Sequence, residues 1–241
     1  MPRLSLRSCA LMAAAAAWAG AALAGGQILP GGAGQMPGGG RPTMGGAPPD
    51  EESPPAQSTE KPDIAAAKAY KQAMKSLDKA KEYEAAAASA TNADKKAKAL
   101  EKLDDAYNRA IDQFTEALSN KGDMLEAWDH VGYVHLKLGA YREAIDDYNH
   151  ALTLKPDLLE AVEHRAEALL AVDRLEDVRI AYMDLFNHAP DLAAQLMSSM
   201  HKWLADRQAD AHGLGAGEID AFGKWLSERE GMAKQTAALP H

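Results

Sequence analysis

A 241-residue chain in which 46 % of residues are apolar and 25 % charged is long enough for one folded domain plus unfolded flanks. Its formal charge of -9 argues against sequence-independent nucleic-acid binding, which needs a basic stripe, and against adhesion to an anionic membrane. Basic or mixed-charge polypeptide partners remain open. The single cysteine, Cys9, excludes a disulfide within one chain.

Residues 1–24 read as a cleavable signal peptide. Arg3 and Arg7 open it, Cys9–Trp18 is an Ala-rich apolar run, and Ala22-Leu23-Ala24 is a small-x-small cleavage site. The expected product is periplasmic or secreted, cut after Ala24, without a cysteine and without a later membrane-spanning segment. Residues 25–61 are a Gly/Pro-rich leader with too little apolar content to offset the entropy of ordering. Its glycines follow no strand, so they make no phosphate loop.

Pro62-Asp63 marks a helix start with Asp63 available as a cap. Tyr70, Ala73, Met74, Leu77 and Ala80 then recur at helical spacing to about Ala88. A second stripe runs through Leu100, Leu103, Tyr107, Ala110, Ile111, Phe114, Ala117 and Leu118, giving a helix over roughly 94–119. The two predict an elongated hairpin (62–124). Its many lysines, among them Lys68, Lys79, Lys95 and Lys98, alternate with acids as a solvated face does.

The most regular stretch is 125–158, with Trp128, Val131, Gly132, His135, Gly139, Tyr141, Ala144, Ile145, Tyr148, Ala151, Leu152 and Pro156. It resembles a tetratricopeptide repeat, a helix–turn–helix unit that buries its apolar face only by stacking on neighbours. Tyr107 to Leu118 repeat the second half of that pattern 34 residues earlier. Residues 159–192 repeat it in degenerate form, with Val178 for Ala144 and Leu185 for Ala151. The resemblance spans Tyr107 to Leu192. Asp123, Asp157 and Asp191 keep the same 34-residue period. Glu126 and Glu160 follow the first two by three residues, which suggests helix caps. Residues 193–241 then carry two closing helices, one through Leu196, Met200 and Trp203 and one through Ile219, Phe222 and Trp225, around a turn at 212–217.

The expected fold is therefore all-α: antiparallel helix pairs, about three repeats plus C-terminal capping helices. The resemblance implies a right-handed superhelix whose first helices line a concave groove for a polypeptide segment. Its groove positions fall on Asp129, His130, Tyr133, Leu136, Lys137, Glu163, His164 and Glu167. Asp129, Glu163 and Glu167 point to an acidic groove for a basic or mixed segment, with Tyr133 as aromatic anchor. Glu126 and Glu160 are set aside as caps. His135, in an aromatic place of the repeat, is expected to pack as a satisfied core histidine.

The sequence holds no Gly-x-Ser-x-Gly elbow and no mature cysteine, so it suggests a non-enzymatic scaffold or adaptor of the cell envelope with no cofactor. Two rivals stand beside it. His130 and His164, 34 residues apart and next to Asp129 and Glu163, could share a metal ion. The long hairpin could serve a self-associating structural scaffold.

Overall fold

A computed structural model describes residues 61–237; the expected signal peptide and all but the last residue of the expected leader lie outside them. Among the described residues eight helices follow one another: α1 (Pro62–Ala88), α2 (Ala93–Asn120), α3 (Leu125–Leu138), α4 (Tyr141–Leu154), α5 (Leu159–Ala171), α6 (Leu175–His188), α7 (Pro190–Ala209) and α8 (Ala216–Ala237). There is no strand among the described residues. Consecutive helices pack as hairpins, α1 on α2, α3 on α4 and α5 on α6, and each hairpin stacks on the next. The first helices of successive hairpins, α3, α5 and then α7, lie side by side along one face.

The helix ends show which local signals operate. Pro62 occupies the first turn of α1, where its missing N–H costs nothing. Asp63 does not cap this helix. It sits inside the first turn, where a negative charge favours the helix dipole. Asn92 caps α2, its side chain accepting from the Lys95 amide at 2.9 Å. The caps expected from Asp123 and Asp157 do not form: Met124 and Leu158 stand at the cap positions, without a side-chain hydrogen bond. The loop before α3 is closed by Trp128 instead, whose indole N–H donates to the Gly122 carbonyl at 2.8 Å. Glu126 and Glu160 are consequently exposed first-turn acids with no capping role.

At 27 and 28 residues, α1 and α2 are twice as long as the 14-residue helices α3 and α4. Their seam carries small buried residues, Ala66, Ala69, Ala73 and Ala80 on α1 and Ala106, Ala110 and Ala117 on α2, with Leu77, Leu103 and Tyr107 filling the layers. Two apolar cores result. One joins α1, α2 and the inner side of α3, with Phe114, Val131, Val134 and Leu138. The other runs from α4 to α8, with Tyr148, Leu169, Tyr182, Leu185, Leu196, Met200, Phe222 and Leu226.

The regular hairpin α3–α4 joins the two cores. Gly132 lets α4 approach: a Cβ there would lie 3.0 Å from the ring of fully buried Tyr148. One turn later His135 Nδ1 is hydrogen-bonded to the carboxylate of Asp147, itself only 9 % exposed. His135 is thus a partnered histidine at the hairpin seam. Gly139 ends α3 in the left-handed conformation (φ 73°), with its N–H on the Leu136 carbonyl.

The closing helices differ from their expected bounds. The last repeat runs directly into α7, with only Ala189 between α6 and α7, and the helix begins at Pro190 rather than beyond 192. Its buried stripe, Ala193, Leu196, Met200 and Trp203, comes two or three residues earlier than two 34-residue steps from Ala127, Val131, Val134 and Leu138 would place it. Asp191 lies in the first turn of α7 and not in a loop.

Replacing Gly132 by Leu should lower unfolding stability by about 1–3 kcal/mol or more, because the buried Tyr148 ring has nowhere to move. Gly231→Ala, where nothing lies within 4 Å, should leave stability unchanged or raise it by up to about 1 kcal/mol. Urea unfolding of the two variants beside the parent protein checks the opposite signs.

Candidate functional site

The face shared by α3, α5 and α7 holds an open cleft of about 940 Å³. From α3 come Tyr133, Leu136 and Lys137, from α5 His164, Glu167, Leu170 and Ala171, and from α7 Ser199, Lys202, Trp203, Asp206 and Arg207. Helical spacing explains the set: positions three and four apart on each helix share one side, and the three sides converge.

Five of the eight predicted groove residues, Tyr133, Leu136, Lys137, His164 and Glu167, line this cleft. The other three do not. His130 turns toward the first hairpin, stacked on Tyr70 with ring centroids 6.0 Å apart and tilted against Phe114 at 5.5 Å. Glu163 is 4 % exposed and belongs to the interior. Asp129 is half-buried, and its Oδ1 is shut from solvent with no hydrogen-bond partner.

The cleft is correspondingly not acidic. Lys137, Lys202 and Arg207 stand there against Glu167, Asp206 and Asp210. Lys137 is anchored, 3.2 Å from Glu84 of α1 and over the Tyr133 ring at 5.5 Å. Glu167 accepts from Ser199 of α7 at 2.7 Å, joining two walls of the cleft.

The α7 wall is what sequence reasoning missed. It is held by Asp173, in the α5–α6 turn, which takes the place of Gly139 one period on and adopts the left-handed backbone with φ 60°. Its Oδ1 accepts from the Trp203 indole N–H and from Arg207 Nε, both at 2.9 Å. The guanidinium of Arg207 lies over the Trp203 ring at 5.4 Å. An aspartate tolerates this backbone better than most residues, and its carboxylate fixes the edge of the cleft. The sequence signal was Asp173 standing where the repeat expects glycine, together with Trp203 seven residues after Leu196.

Beneath the α3 and α5 walls lies a polar cluster. Burial, and then the charge of Glu167, pushes the Glu163 carboxyl up to about 7. Burial also raises Asp129, against the opposing pull of His130 and His164. Burial lowers His164, so its imidazole favours the neutral form. Each histidine is flanked by its own acid, His130 by Asp129 at 3.8 Å and His164 by Glu163 at 3.7 Å. Among the described residues no group of three or more His, Cys, Asp or Glu is gathered to hold a metal ion. His164 is packed between the rings of Tyr133 and Tyr148, at 5.8 and 5.9 Å, while His130 is packed on the first hairpin. The shared-ion arrangement of the two histidines is replaced by ring packing on separate partners.

No family model matches the chain, and no curated protein matches it. Among solved structures it is similar to the TPR domain of Arabidopsis OM64, with TM-score 0.38 and 11 % identity over 70 % of this chain and 98 % of that one. It is also similar to the TPR2B domain of yeast Sti1 in a pHsp70 complex, with TM-score 0.30 and 19 % identity over 63 % of this chain and 98 % of that one. The fold is tetratricopeptide-like. That statement rests on the stacked hairpins and their 34-residue register, since similarities of this size carry no residue roles across.

Two predictions follow from the charges. Glu163 binds its proton more tightly folded than unfolded, so its contribution to stability is complete below about pH 4.5 and is lost as pH rises to about 7. The loss amounts to about 3 kcal/mol. Glu163→Gln should therefore flatten the pH profile of unfolding and make the protein the more stable of the two above pH 7, as urea titrations across that range will show. Asp173→Gly keeps the left-handed turn but removes the acceptor of Trp203 and Arg207. It should destabilise by about 1–3 kcal/mol and red-shift the tryptophan emission.

Proposed function

We propose that the protein is a non-enzymatic scaffold or adaptor that holds an extended polypeptide segment in the cleft between α3, α5 and α7. The observation that supports this most directly is the cleft itself. It is open and long, and it offers an aromatic anchor (Tyr133), apolar floor residues (Leu136, Leu170) and side chains of both charges. Segments are recognised by such a combination, with aromatic and apolar anchors supplying affinity and rim charges supplying orientation. Because Glu163 is interior and Lys202 and Arg207 border the cleft, the segment proposed is one of mixed charge rather than a basic one.

Among the described residues no helix is long and apolar enough to cross a membrane. With the signal-like start at Met1–Ala24, we place the protein in the periplasm or outside the cell, where its partner would be another exported protein.

A photo-crosslinking amino acid at Lys202, on the cleft, should trap a defined peptide of a discrete partner in intact cells. The same group at Thr153, exposed on the outer helix α4, should not. Tyr133→Ala should weaken the trapped interaction about tenfold or more. Equal capture from both positions, or capture indifferent to Tyr133, would remove the cleft from consideration. The self-association rival predicts instead that the trapped peptide comes from the protein itself.

A further inference from the structure

The 34-residue period is reversed at one level of the outer face. Arg165 of α5 stands where the period has Val131, which is 3 % exposed. Ile180 of α6 stands where it has the exposed Asp146. An interior aliphatic has become a cation and a surface acid has become an aliphatic, each the opposite of what helix packing favours. Ile180 is consequently 64 % exposed, more than Ile64, Leu154 or Met232. Departures of this kind concentrate where a fold serves something besides its own stability.

Both departures meet in one groove of about 580 Å³, between the outer helices α4 and α6 with α5 as its floor. Positions three and four apart share a side. Arg165 therefore lies between Val162 and Leu169 on α5, and Asn149 between Ile145 and Leu152 on α4. Those four aliphatic side chains are buried, so the groove presents the guanidinium, the Asn149 amide and Ile180. Arg165 is half-buried, its Nη1 donates to Asn149 Oδ1 at 2.8 Å, and its Nε is shut from solvent without a hydrogen bond. The two acids of the groove come from α6 and are engaged elsewhere, Asp177 with Arg174 at 2.7 Å and Asp184 with His188 at 3.0 Å. Burial works against the Arg165 charge. A half-buried guanidinium held by a neutral amide is met best by a carboxylate, whose two oxygens match its fork of donors.

We propose that the α4–α6 groove is a second docking site, for a polypeptide segment that presents a carboxylate side chain beside an aliphatic one. The carboxylate enters from solvent and accepts from the Arg165 guanidinium and the Asn149 amide nitrogen. The aliphatic neighbour covers Ile180. A segment suits the groove better than a free fatty acid does, because the aliphatic floor is already buried and leaves no apolar channel for a long chain. The site is independent of the cleft: the two share no lining residue, and Thr153 lies outside both. With both occupied, α5 joins two partners, Glu167 on the side of one and Arg165 on the side of the other.

The probes are the peptide acetyl-Leu-Ser-Glu-Ser-Leu-amide and the same peptide with Gln in place of Glu, titrated into the full chain and followed by two-dimensional amide NMR. Alternate residues of an extended peptide share a side, so a leucine flanks the acid in either direction. The Glu peptide should give saturable shifts around Asn149, Arg165 and Ile180, with the Gln peptide at least about tenfold weaker, the factor expected for loss of one charged hydrogen bond. Arg165→Met, which restores an aliphatic residue at this place of the repeat, should keep the helices by circular dichroism and weaken the Glu peptide about tenfold or more. Ile180→Ser, at an exposed position, should weaken it about threefold or more, and it carries the test if Arg165→Met unfolds. Equal affinity of the two peptides, unchanged affinity in a folded Arg165→Met or in Ile180→Ser, or shifts confined to Tyr133, Glu167 and Lys202 would overturn the site.

Discussion

The contact on which the rest of the molecule depends is the Tyr148 ring lying on Gly132. It sets how closely α4 approaches α3. With no Cβ at Gly132, a full aromatic ring fits into the hairpin and is buried completely. The hairpin so closed carries the apolar core of α1–α3 on one side and that of α4–α8 on the other. Within it lie two polar features, the His135–Asp147 pair and the unpartnered Tyr148 hydroxyl.

The polar groups beneath the cleft weaken the fold locally, since the Glu163 carboxyl sits in surroundings that resist its charge. The cleft above them is fixed from outside by two ties, Lys137 to Glu84 and Arg207 with Trp203 to Asp173. The first connects the long hairpin to the cleft, and the second connects the last repeat to its closing helix.

Much of this was legible beforehand, and the particular residues explain why. The all-α class and the stacked hairpins followed from apolar spacing and from Gly132, Tyr148 and Gly139 at their repeat positions, because those features are local and periodic. Five groove residues followed from the same period. Asp129, His130 and Glu163 share the groove-facing side of their helices but do not line the cleft. Whether such a residue faces the cleft or the interior depends on the neighbouring helix: Tyr70 and Phe114 claim His130. The caps expected at Asp123 and Asp157 failed for a related reason, since the Trp128 indole closes the α2–α3 loop by another route.

Residue type and period alone therefore determined the helices, their pairing and the face along which a cleft forms, because each depends on neighbours three, four or 34 positions away. The tertiary structure decided the rest. The direct passage from α6 into α7 advanced α7 by two or three residues and brought Lys202, Trp203 and Arg207 to the cleft. The packing around α5 placed Glu163 inside and left Glu167, one turn further along the same helix, on the cleft. The physical reason is that burial belongs to pairs of elements: a carboxylate's surroundings are set by the helix packed against it, which no spacing within its own helix records.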